Sequence, residues 1–122
     1  MSEGLTVPEY RELTEAERKL LEWLITNGTD DAPAYASQLP QVKVVGCCKC
    51  GCPSLDLAVG GKRSRTHGIS TVLAEVGGHS PEGVPVIVIL HACEGEISLL
   101  EVVSTDETRE FSLPTPEMID EV

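Results

Sequence analysis

The sequence predicts an α+β domain in which an N-terminal helix or two helices pack on a mostly antiparallel, five-stranded β-meander. Three observations carry that expectation. Helical periodicity is confined to residues 14–38. From Val42 onward the chain changes to short β-branched runs separated by Gly, Pro and polar clusters, the pattern of hairpins. No helix-length segment separates any consecutive pair of runs, so the crossovers that parallel strands require have no room to form.

With 122 residues the chain fits one domain with its own core. Aromatic residues make up only 3% against a hydrophobic share of 41%, so that core must be built from Val, Ile, Leu and Ala. Residues 1–12 carry Gly4 and Pro8, lack periodicity, and read as a flexible arm. Residues 13–116 are expected to form the single domain, with 117–122 as a tail.

The first helix starts at Thr14. Thr14 and Glu17 make an S/T-x-x-E capping box, and Leu20, Leu21, Leu24 and Ile25 supply its apolar face. Asn27-Gly28 has the chemistry of a helix end. A second helical turn is expected from Ala32 to Gln38, capped by Asp31, entered through Pro33 and stopped by Pro40. The strands follow at Gln41–Cys48, Ser54–Val59, Ile69–Val76, Pro85–Cys93 and Glu96–Ser104. Val86-Ile87-Val88-Ile89-Leu90 is apolar in both parities and predicts a central strand. A two-residue turn at Glu94-Gly95 would set Cys93 opposite Glu96, His91 opposite Ser98 and Ile89 opposite Leu100.

The formal charge is −11, unevenly placed. From Glu94 onward nine acids stand against Arg109 alone, while residues 43–65 carry five cations against Asp56. Such acidity argues against a nucleic-acid binder, because phosphate neutralisation needs clustered Lys and Arg. It suits a basic protein partner, drawn in by electrostatic steering. Glu94, Glu96, Glu101, Asp106, Glu107 and Glu110 are the candidate partner-binding residues. No apolar run approaches the roughly 20 residues of a spanning helix, and the first twelve residues have no secretory apolar stretch. A cytoplasmic location without membrane attachment is expected.

Four of the five cysteines fall in Gly46-Cys47-Cys48-Lys49-Cys50-Gly51-Cys52-Pro53. In a reducing compartment they read as thiols, metal ligands or redox groups more readily than as a disulfide framework. A zinc site would draw on Cys47, Cys48, Cys50 and Cys52, with His91 and Cys93, two apart on one strand face, as its second half. Alternating cysteines along a strand are roughly 6.6 Å apart, too far for tetrahedral chelation unless Gly51 or Pro53 bends the chain. The second C-x-x-C or C-x-x-H pair of a zinc ribbon is missing. A thioredoxin-like reading lacks the helix that should follow the motif. The remaining reading makes the cysteines small hydrophobes packed under a sheet. No resident cofactor is expected unless the zinc alternative holds.

The loop Gly60–Gly68 gathers three cations and His67 between glycines but has no P-loop pattern, and His79 sits beside Gly78 as a loop residue. No G-x-S-x-G, H-E-x-x-H or dinucleotide-binding motif is present, and the carboxylates show no acid–base pairing. The chain is therefore expected not to be an enzyme.

Cys48-Lys49-Cys50-Gly51-Cys52-Pro53-Ser54-Leu55-Asp56 resembles a C-x-C-G-C-P-[ST]-hydrophobic-D motif of an uncharacterised family of small bacterial proteins. Gly83-Val84-Pro85-Val86 and Glu96–Val102 resemble that family's later hairpin, and the likeness spans residues 11–116. Cys47 is an addition to the motif. At the level of class, small acidic α+β chains of this kind resemble immunity proteins that neutralise toxin domains, many of them basic. That class-level likeness implies a non-enzymatic protein-binding module, while the cysteine cluster read by itself gives a zinc or thiol-redox module as the alternative. A homodimer through sheet edges is a further expected partner mode.

Overall fold

The capping box forms as the sequence predicts. Glu17 N–H donates to Thr14 Oγ1, Thr14 N–H donates to Glu17 Oε1, and helix α1 runs from Glu15 to Asn27. Arg11 closes on the same carboxylate with both guanidinium nitrogens at 2.9 Å, fixing the segment before the helix to its first turn. Burial pushes the Glu17 carboxyl up, but the Arg11 and Thr14 hydrogen bonds outweigh it and leave the pKa lowered. Leu20, Leu21, Leu24 and Ile25 bury the apolar face of α1 against the sheet.

The structure is a computed structural model that describes residues 6–48, 53–60, 70–104, 106 and 110–121. A 3-10 helix, Ala32–Gln41, follows α1, with Pro33 at its start and Pro40 inside it. Asp31 makes no side-chain cap bond there, and Pro40 does not end the helix. The strands are β1 (Thr6–Glu12), β2 (Val42–Cys48), β3 (Leu55–Val59), β4 (Ser70–His79), β5 (Pro85–Cys93), β6 (Glu96–Ser104) and β7 (Ile119–Glu121), with a short 3-10 turn Pro116–Met118 before the last.

The α+β class holds, but among the described residues the sheet has seven antiparallel strands rather than five, in the order β1-β2-β3-β6-β5-β4-β7. It is not a simple meander. β3 pairs with β6 instead of β4, giving the Greek-key order in which a three-strand meander is joined to the preceding strand by a long connection. The added strands lie at the two edges, where the arm and the tail were expected. Both were hidden for a physical reason: β1 carries Pro8 and a register irregularity, and β7 is only three residues long.

Register shifts aim the side chains. In β2, Val45 is an extra residue between Val44 and Gly46, which places Cys47 opposite the core residue Leu55. In β4 the extra residue is Leu73, whose carbonyl accepts from Thr29 N–H at 2.8 Å and ties the end of α1 to the sheet. Gly28 makes that approach feasible, since a Cβ there would lie 2.2 Å from the Leu73 carbonyl oxygen. Its backbone is not left-handed (φ −87°), so close contact, not a left-handed cap, selects the glycine.

In β6 the extra residue is Ser98. The turn pairs Cys93 with Glu96 as expected, but His91 then faces Leu99 and Ile89 faces Glu101, one residue beyond the expected register. β4 continues through Gly77 and Gly78, where a loop was expected, because a Cβ at Gly78 would lie 2.3 Å from Met118 O and the glycine admits β7 at the edge. His79 is accordingly the last residue of β4, opposite Pro85, and not a loop residue.

The core lies between the sheet and the helices, built from α1, Val44, Leu57, Leu73, Val88, Leu90, Ile97, Leu100 and Val102. The seam between the two halves of the sheet is short, with Leu55↔Leu100 and Asp56↔Leu99 in register. Ser54 Oγ extends it by accepting from Val102 N–H at 2.8 Å and donating to Val102 O at 3.2 Å.

Candidate functional site on the open face of the sheet

Residues that alternate with the core set on β4, β5 and β6 point away from the helices. The observed register arranges them in rows: Ser70–Cys93–Glu96, Val72–His91–Leu99, Glu75–Ile89–Glu101 and Gly77–Ile87–Val103. Val72, Ile87 and Val103 are 40%, 36% and 38% exposed, and apart from Tyr10 they are the exposed large hydrophobic residues among those described. Their concentration on one face distinguishes them from the scattered apolar surface common to soluble domains.

A polar chain crosses this face. His91 Nε2 lies 2.9 Å from Glu101 Oε1, and His91 Nδ1 lies 3.2 Å from Ser70 Oγ. A carboxylate only accepts, so Nε2–H donates to Glu101, and in the neutral ring Nδ1 accepts from the Ser70 hydroxyl. The groups are those of a serine–histidine–acid triad, but the ring is turned end for end and both terminal groups stand in water. The arrangement orients Glu101. It was missed in the sequence because the Ser98 bulge, which sets Glu101 diagonal to His91, has no sequence signature of its own.

Asp56 on β3, Glu75 on β4 and Glu101 on β6 face outward from the middle of this side, while Lys43 on β2 is held by Glu12. Of the expected partner-binding residues, Glu101 is central to the face. Glu94 and Glu96 stand at the β5–β6 turn, whereas Asp106 and Glu110 follow the other end of β6, about 27 Å away along nine residues. The acids therefore do not form one patch, and Glu107 lies outside the described residues.

The cysteine expectation is divided by the sheet. Cys47 is half-buried against the core on β2, while Cys93 is buried on β5, three strands further across and in the parity of the open face. The two cannot meet on one ion. Cys50 and Cys52 lie outside the described residues, as does the side chain of Cys48. Among the described residues no three His, Cys, Asp or Glu side chains are placed to hold a metal. His67 and most of the basic loop after Gly60 also lie outside them.

On the opposite side, Trp23 is half-buried against the core and lines a depression of about 290 Å³ with Lys19, Glu22, Thr26, Asn27 and Pro116. No helix among the described residues is long and apolar enough to cross a membrane. Comparison with known proteins finds no matching protein family, curated relative or solved structure.

Proposed function

We propose that this chain is a non-enzymatic, cytoplasmic protein-binding module, immunity-like in class, that docks a basic protein domain of the toxin kind on the open face of its sheet. The observation that carries this reading is the clustering of Val72, Ile87 and Val103 on that face, around the outward carboxylates Glu75 and Glu101. Carboxylates set between exposed apolar residues give a docking surface both contact area and charge selectivity.

Charge complementarity selects the partner. A second copy would bring Glu75 and Glu101 against like charges, and the sheet edges resist strand addition through Pro8 on one side and the short β7 on the other. A basic domain meets neither obstacle. The zinc or thiol-redox alternative depends on Cys48, Cys50 and Cys52 and draws no support from the placement of Cys47 and Cys93.

Co-expression with basic domains encoded beside this chain, followed by size-exclusion chromatography and calorimetry, tests the reading. The expected result is a complex that weakens steeply with salt and is lost in Ile87→Asp and Val103→Asp. A complex indifferent to both substitutions, or none with any such domain, refutes it.

A further inference from the structure

Within that docking reading, on which this inference rests, we propose that Ile89 and its flanking glutamates form the seat for one arginine of the partner. In the row Glu75–Ile89–Glu101 the two carboxylates stand on strands either side of an aliphatic residue. At the usual strand spacing their backbones are about 10 Å apart, so a cation above Ile89 lies about 5 Å from each line. Among the described residues no lysine or arginine forms an ion pair with either glutamate, and the single basic group on Glu101 is His91.

His91 gives the seat its geometry. Its Nε2–H holds Oε1 of Glu101 and leaves Oε2 as the acceptor for an incoming donor. Leu99 and Val103 flank Glu101 along β6, and Ile87 flanks Ile89 along β5, so the cation enters an aliphatic ring. A guanidinium suits that setting better than an ammonium. It is planar, weakly hydrated and able to rest on aliphatic carbon while its edge donates to a carboxylate, whereas an ammonium keeps its water. An arginine inside an apolar ring is also the arrangement in which a single side chain dominates an interface.

The test uses n-butylguanidinium as probe and n-butylammonium as control, titrated into the isotope-labelled full chain while side-chain carboxyl and imidazole resonances are followed by NMR. The expected result is saturable shifts at Glu75, Glu101 and His91 with butylguanidinium, at least fivefold weaker binding of butylammonium, and loss of the shifts in Glu75→Gln/Glu101→Gln. His91→Phe should weaken binding severalfold, and His91→Gln, which retains a donor, should restore part of it. Equal binding of the two probes, or shifts unchanged in the double variant, overturns the arginine seat. That failure is distinct from failure of the docking reading, because the complex tested with Ile87→Asp and Val103→Asp can persist when the fragment finds no seat, and the fragment can bind when no complex forms.

Discussion

Replacing Gly28 by alanine tests the junction between helix and sheet. The added Cβ would lie 2.2 Å from the Leu73 carbonyl oxygen and 2.7 Å from that of Leu24, both backbone atoms with no rotamer to escape through. Relief requires the end of α1 to lift from β4, which breaks the Thr29 N–H to Leu73 O bond of 2.8 Å. Overpacking against an unyielding neighbour costs about 1–3 kcal/mol, and a buried carbonyl left without its donor about 1–3 kcal/mol more. A loss of about 3–4 kcal/mol follows, equivalent to a fall in Tm of about 10–15 °C for a domain of this size. Thermal unfolding followed by circular dichroism, with urea denaturation as the second measurement, reads it directly. A Tm within about 3 °C of the parent would show that the junction has slack and that Gly28 is there for another reason.

Glu17→Ala removes both the reciprocal cap and the Arg11 ion pair and should cost about 1.5–3 kcal/mol, while a double-mutant cycle with Arg11→Met should assign about 1 kcal/mol to the pair itself, whose guanidinium is partly exposed. Glu82 accepts from the Ser112 hydroxyl and N–H and from Ser80, which holds its pKa at about 2 instead of 4.5. Because the folded pKa is the lower one, this stabilisation is complete above pH 4.5 and is lost as the pH falls towards 2, so Tm against pH should be flatter across that window in Glu82→Gln. Glu94 and Gly95 adopt φ values of 54° and 83°, the pattern of a type I′ turn, and Glu94→Asn should raise stability by about 0.5–1 kcal/mol in the same urea titration. Ser54→Ala should cost about 1–2 kcal/mol and accelerate amide exchange at Val102.

What could be read from the sequence and what could not divide along the difference between local and long-range signals. The cap at Thr14, the apolar face of α1 and the exact span of β5 and β6 are written in contiguous residues. The pairing of β3 with β6 depends on which edges meet after collapse, and no residue in either strand announces it. Gly77-Gly78 has the composition of a turn, yet Gly78 serves a close approach by the backbone at Met118. The two-sided apolarity of β5 marks an interior strand, and β5 lies between β6 and β4 as expected, while Ile87 is exposed on its open face. The candidate site was half legible. His91 and Cys93 share a face as alternation requires, whereas the union of His91 with Glu101 and Ser70 arises from bulges at Ser98 and Leu73 that only the assembled ladder reveals.

The short seam between β3 and β6 has a kinetic meaning. β4, β5 and β6 are joined by tight connections and pair with their sequence neighbours, as do β2 and β3, so each half can form through local contacts. Joining them closes a loop of about 45 residues between Leu55 and Leu100, an entropic toll that no single registered pair repays. The halves should therefore assemble first and the seam last. Substitutions at Leu55 or Ser54 should then leave the folding rate nearly unchanged and speed unfolding, while those at Val88 or Leu90 slow folding. The same order would expose the β6 edge in the last intermediate, making the meander, rather than the finished sheet, the species most prone to aggregate.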